Sequence, residues 1–224
     1  MDIIIFLLIL VSLINLFLGV FIFKKNPKSK INLFYFLMML FTVLWTVSLI
    51  VYYFHISNGS ILLTFKLANF FALFIALFYG YFSYYFPFKS SQKVKITLNV
   101  FTILVLLINS AVLFYDDFLL YSDLLPKEIT NVFNYSIFTV LFTMIVIVSS
   151  VVLLKKKRIS EGIIRKQINY VLYAVLISFI LGSATNLIPG FFNYYQLSWL
   201  GPIFTLINFS VVGYLIFYKS SKIV

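Results

Sequence analysis

The side chains that could carry out chemistry are few in this chain of 224 residues, of which only 10% are charged. His55 is the one histidine, there is no cysteine, and no Asp or Glu falls inside the long apolar stretches. A metal site built from several histidines or cysteines, a thiol nucleophile and a pair of intramembrane carboxylates are therefore excluded. We expect a protein that is not an enzyme and that holds neither metal nor cofactor.

The remaining polar groups of interest are Lys66, Asn69 and Asn186. Lys66 and Asn69 are three residues apart, which places them on nearly the same face of a helix. Lys66 has two interpretations: its amine extends to the lipid headgroups, or it lines an outward cavity and meets an anionic ligand. We predict Lys66, Asn69 and Asn186 as the candidate ligand-binding residues.

Other polar or small residues within the apolar stretches predict helix packing. Ser178 and Gly182 are four apart and predict a close helix–helix contact. Trp45 falls near the middle of a stretch, which favours a position inside a bundle. Five asparagines are predicted to form interhelical hydrogen bonds: Asn15, Asn99, Asn109, Asn169 and Asn208.

The elements that carry these residues are apolar enough to need lipid as their solvent. The chain is 63% hydrophobic, and its net charge of +11 is confined to short clusters. This pattern is typical of a membrane surface and not of nucleic-acid binding. A helix needs about 20 apolar residues to cross the hydrocarbon core. Seven such stretches predict an all-α, seven-transmembrane-helix bundle in a single domain, residues 1–224, with spans at 3–23, 33–54, 61–86, 96–115, 132–154, 168–188 and 199–218.

The basic residues predict the direction of each span. Fifteen of the 17 lie in the segments that follow spans one, three, five and seven, and positive charge favours the cytoplasmic side. We therefore predict an N-terminus outside and a C-terminus in the cytoplasm of a multi-pass protein of the bacterial cytoplasmic membrane. The cluster Lys155–Arg158 is interpreted as a determinant of this topology, with binding of anionic lipid heads as the alternative. A retinal pigment is disfavoured because the last span has no lysine before Lys219.

Several segments together resemble a known family. They are residues 32–36 with Trp45, residues 165–170, residues 186–189, residues 199–204 and residues 213–217. Their order is similar to that in the seven-transmembrane N-terminal sensor region of bacterial histidine kinases. The resemblance implies that a stimulus shifts the helices and that the last span passes the change to a cytoplasmic kinase or other output partner, often within a homodimer.

The kinase core of that family is absent from this sequence, which ends six residues after Tyr218. We therefore expect a sensory or receptor module that acts through a partner, or a fragment of a longer sensor. A small permease or transport component is an alternative, and a structural membrane subunit is another.

Overall fold

The computed structural model describes residues 2–55, 61–114, 127–192 and 197–219, and the regular structure within these ranges is helical throughout. Its α-helices are α1 (Asp2–Lys25), α2 (Lys30–His55), α3 (Ile61–Tyr85), α4 (Gln92–Phe114), α5 (Lys127–Arg158), α6 (Gly162–Gly182), α7 (Ile188–Phe191) and α8 (Leu200–Gly213). A π-helical segment, Ser183–Leu187, joins α6 to α7, and a second, Tyr214–Lys219, continues α8.

The prediction of an all-α membrane protein is confirmed at the coarse level. Six helices of the described part are long and apolar enough to cross a bilayer, namely Ile3–Lys25, Lys30–Phe54, Lys66–Tyr85, Tyr135–Arg158, Gly162–Leu187 and Leu200–Phe217. Helices suit this composition because each pairs its own backbone groups where no water is available. The helix α4 is not among the six, so the count of seven spans and the orientation stay predictions.

The helix bounds differ from the predicted spans at the start of α5 and at both ends of α6. The helix α5 begins at Lys127, five residues before the predicted span at 132–154. The basic residues Arg165 and Lys166 lie inside α6 and not in a loop before it. Pro189 does not end the helical path, which continues through the π-helical segment into α7.

Six helices pack in a ring. In order around it, α1 contacts α2, α2 contacts α3, α3 contacts α5, α5 contacts α6, α6 contacts α8, and α8 returns to α1. The helix α4 packs on α3 and α5 from outside this ring. Large apolar side chains such as Phe6, Leu107 and Ile177 are more than half exposed, as expected where lipid covers the outer surface.

Successive long helices run in opposite directions, so the ends of α1, α3, α5 and α8 share one end of the bundle, which we call the basic end. The Lys25 amine there donates a hydrogen bond to the Phe217 carbonyl in the last turns after α8. The apolar core of this half includes Tyr35, Met39, Phe82 and Leu153, each 1% exposed or less.

Lys156 makes an extensive set of polar contacts at the basic end. Its amine lies 2.8 Å from the carbonyl oxygens of Ser83, Tyr84 and Phe86, and it also donates to the Phe88 carbonyl. Ser83 and Tyr84 lie in the last turn of α3, and Phe86 and Phe88 follow it directly, where unpaired carbonyls carry partial negative charge. Lys156 is only 4% exposed, so this member of the basic cluster caps a helix inside the protein.

Candidate functional site

A cavity of about 160 Å³ lies inside the ring, near the end opposite the basic end. Residues of α2, α3, α5, α6 with its π-helical segment, and α8 line it, whereas no residue of α1 or α4 does so among those described. Most of its wall is aliphatic or aromatic, and its polar groups are amides and hydroxyls. The lining polar and aromatic residues are Trp45, Tyr52, Asn69, Tyr79, Tyr135, Phe138, Phe142, Ser178, Phe179, Ser183, Asn186, Ser198, Thr205, Asn208 and Phe209.

The structure brings two of the three predicted site residues together on this wall. Asn69, from α3, and Asn186, from the π-helical segment, both line the cavity. Lys66 lies one turn before Asn69, is half-buried and does not line the cavity. A role for Asn69 and Asn186 in binding stays a prediction, and Lys66 is separate from this cavity.

Trp45 and Asn186 meet at Gly201, the second residue of α8. A Cβ atom on Gly201 would lie 2.6 Å from the Asn186 Nδ2 and 2.6 Å from the Trp45 Cη2. Real Cβ atoms do not approach other atoms so closely, so only glycine admits both side chains here. The expectation that Trp45 packs inside the bundle is confirmed.

The π-helical segment Ser183–Leu187 shapes the wall around Asn186. A π-helical turn is wider than an α-helical one and changes which carbonyls are paired. The Tyr135 hydroxyl of α5 donates to the carbonyls of Asn186 at 2.8 Å and of Leu187 at 3.2 Å. The Asn186 amide itself donates to the Thr185 hydroxyl at 2.9 Å. These contacts hold the segment in place against α5.

The two small residues of α6, Ser178 and Gly182, were predicted to allow a close helix–helix contact, and this contact is missing at Gly182. No atom outside its own helix lies within 4 Å of the position that a Gly182 Cβ would take. Both Ser178 and Gly182 line the cavity, and the Ser178 hydroxyl lies 3.4 Å from the Phe204 carbonyl of α8. The prediction of a close helix contact at Gly182 is therefore wrong: the missing side chain leaves space in the cavity.

The asparagines that were predicted to form interhelical hydrogen bonds differ from one another. Asn99 forms the predicted interhelical bond, accepting from the Tyr81 hydroxyl at 2.9 Å. Asn15 is fully buried, but neither its Oδ1 nor its Nδ2 has a partner, and the Oδ1 of Asn208 is also buried and unpaired. Asn169 forms no such bond in the described part, and the Asn109 side chain lies outside the described residues.

Asn208 is the site residue that sequence reasoning missed, because it was interpreted as a packing residue. It is 8% exposed, lines the cavity and follows Gly201 by two helical turns on α8. The hydroxyls of Tyr53 and Ser198 pair with each other at 3.2 Å, and Thr205 donates to the Pro202 carbonyl at 2.8 Å. Asn208 therefore differs from these neighbours in keeping hydrogen-bonding capacity for another molecule.

No carboxylate, imidazole, amine or thiol is present among the described residues that line the cavity. The described residues also contain no group of three or more His, Cys, Asp or Glu that could hold a metal ion. The arrangement can therefore hold a molecule by shape and by hydrogen bonds from amides and hydroxyls. A comparison with known protein families, curated proteins and solved structures finds no match for this chain.

Proposed function

We propose that this chain is a non-enzymatic sensory module of the bacterial cytoplasmic membrane, which binds a small ligand in the cavity and passes the change through α8 to a cytoplasmic output partner. The proposal includes seven spans, with α4 as one of them, and an N-terminus outside. It agrees with the resemblance to the sensor region of histidine kinases.

The observation that carries the proposal is the path of α8. Its first half lines the cavity with Gly201, Thr205 and Asn208, and its continuation reaches the basic end, where Phe217 contacts Lys25. One continuous helical element thus joins the candidate binding site to the end that is predicted to be cytoplasmic. A ligand that changes the position of α8 at the cavity would also move its far end.

The inner half of the bundle favours sensing over transport. Below the cavity, Tyr35, Met39, Phe82 and Leu153 are almost fully buried in one apolar cluster that involves α2, α3 and α5. A continuous polar path through the bundle would favour a permease, and this apolar cluster fills the place where such a path would run. The cavity in this structure resembles a binding site with a closed inner end.

The second π-helical segment is a place where the backbone hydrogen bonding of the α8 path can change. Tyr214–Lys219 follows directly after Gly213, whose missing Cβ leaves room for the Tyr35 hydroxyl. That hydroxyl donates to the Phe209 carbonyl at 2.5 Å, which ties α2 to α8 next to the cavity. π-Helical turns occur frequently at functional sites.

A cavity-filling variant tests the proposal without knowledge of the ligand. Ala72→Phe, on the α3 wall, would occupy space that a ligand would otherwise take. The chain has no cysteine, so in a protein with the substitutions Lys89→Cys and Val211→Cys the spin labels react only at these two positions. We expect the Lys89–Val211 distance distribution to shift in the Ala72→Phe protein, and Ser178→Leu serves as a second filling variant.

A control pair uses Lys89→Cys and Lys155→Cys, which are adjacent to the contacts of Lys156 with the end of α3. Its distances should stay the same in the filled variants. If both pairs are unchanged in both filled proteins, occupancy of the cavity is not coupled to α8 and the proposed function is wrong.

A further inference from the structure

The size of the cavity limits its ligand. Its volume of about 160 Å³ is close to that of an engineered protein cavity of about 150 Å³ that takes up benzene. A whole lipid or a nucleotide is too large to fit entirely inside this space. The cavity therefore fits a molecule with about one six-membered ring and a small substituent.

The wall restricts the charge of that molecule. The described residues that line the cavity are uncharged, and aromatic rings such as Phe138, Phe142 and Phe179 make up much of the surface. A charged ligand would lose its hydration without meeting an opposite charge, which is costly in an apolar site. A neutral ligand avoids this cost and gains from contact with the rings.

Because the amide of Asn208 is unpaired, the ligand should also carry one polar group. Its Oδ1 is buried without a partner, and its Nδ2 forms no hydrogen bond with the described residues. A ligand that supplies the missing hydrogen bond to a buried amide lowers the free energy of the complex. Asn15 is similarly buried and unpaired but does not line the cavity, so it provides a matched comparison.

The position of Asn208 on α8 separates its amide from that of Asn186. Asn208 follows Gly201, which Trp45 and Asn186 contact, by seven positions along α8, a rise of about 10 Å. The aromatic side chains of α5 and α6 line the space along this length. A ring can lie against them while its substituent reaches the deeper amide.

Resting on the proposed role of the cavity as a ligand site, we infer that its ligand is an uncharged, ring-sized molecule with a single hydroxyl, carbonyl or amide group that pairs with Asn208. Benzyl alcohol and ethylbenzene form a suitable pair of probes, because they have nearly the same shape and differ in one hydroxyl. Benzylammonium adds a charge to the same frame.

The test is the rise in the unfolding temperature of the purified full chain in detergent, titrated with each probe and expressed against probe concentration in the micelles. One additional hydrogen bond in a protein interior predicts that benzyl alcohol acts at about fivefold lower concentration than ethylbenzene. Asn208→Leu should lose this preference, whereas Asn15→Leu should keep it. Benzylammonium should give no rise in any of these proteins.

Equal action of the two neutral probes on the unsubstituted chain overturns the inference, as does an unchanged preference in Asn208→Leu or a full response to benzylammonium. The first and third results decide the matter even if Asn208→Leu does not fold. These outcomes leave the cavity as a ligand site, and so the proposed function, intact. If no probe stabilises the unsubstituted chain more than the Ala72→Phe chain, both the inference and the use of the cavity as a ligand site are wrong.

Discussion

Trp45 and Asn186 approach the same point on α8 from two different helices, and that point is the Cβ position that Gly201 leaves empty. Each places an atom 2.6 Å from where a Gly201 Cβ would be. The contact joins α2, the π-helical segment after α6, and α8 on one wall of the cavity. The shape of the cavity thus depends on one residue without a side chain.

Gly201→Ala should destabilise the protein by about 2 kcal/mol, because the added methyl group forces both side chains to move. The measurement is SDS-driven unfolding in mixed micelles. Gly182→Ala is the matched control, since its Cβ would meet no atom within 4 Å. That variant should be neutral or more stable by up to about 1 kcal/mol, as for alanine in a helix interior. Equal losses in the two variants would contradict the contact at Gly201.

Lys156→Met should destabilise the fold by about 2 kcal/mol, because it leaves the carbonyls at the end of α3 without their charged donor. Lys155→Met removes the same charge from the same cluster, but Lys155 is exposed. It should change stability by less than about 0.5 kcal/mol. The pair therefore separates helix capping from a role in topology alone, and a similar, small effect of both variants would argue against capping. The readout is again unfolding in mixed micelles.

Tyr135→Phe should cost about 1 kcal/mol, since the carbonyls of Asn186 and Leu187 lose their shared donor. Hydrogen exchange followed by mass spectrometry should show faster exchange in Ser183–Phe191 than in the unsubstituted chain. Tyr173→Phe alters a tyrosine of α6 that is 59% exposed, and it should leave this exchange unchanged. Unchanged exchange in both variants would mean that Tyr135 does not hold the π-helical segment.

The seven-span prediction can be tested with single cysteines in intact cells. Asp123→Cys, in the segment between α4 and α5, should react with a membrane-impermeant thiol reagent added from outside. Lys28→Cys, between α1 and α2, should react only after the cells are opened. If α4 does not cross the membrane, Asp123→Cys will instead behave like Lys28→Cys.

Much of the architecture could be predicted from the sequence because long apolar stretches and clustered charges are local signals. Polar groups at similar depth in apolar helices predict Lys66, Asn69 and Asn186 as one set, and two of these three residues line the cavity. The role of Lys156 could not be predicted, since its partners are backbone carbonyls about 70 residues away. The same holds for Gly182, because a small residue that permits close packing and one that leaves a cavity look identical in sequence.

The missing hydrogen bond of Asn208 could not be predicted from the sequence either. An asparagine in an apolar helix predicts a hydrogen bond, but only the packing of α8 shows that this bond is missing. The π-helical turns are likewise set by tertiary contacts such as that of Tyr135, and no residue type marks them.

The central claim is that a molecule in the cavity moves α8, and the Lys89–Val211 label pair measures this directly. At a benzyl alcohol concentration that saturates the rise in unfolding temperature, we expect the distance distribution to shift, and to return when the probe is removed. The Ala72→Phe chain should show no further shift. A distribution that stays unchanged in the saturated, unsubstituted protein would contradict the account.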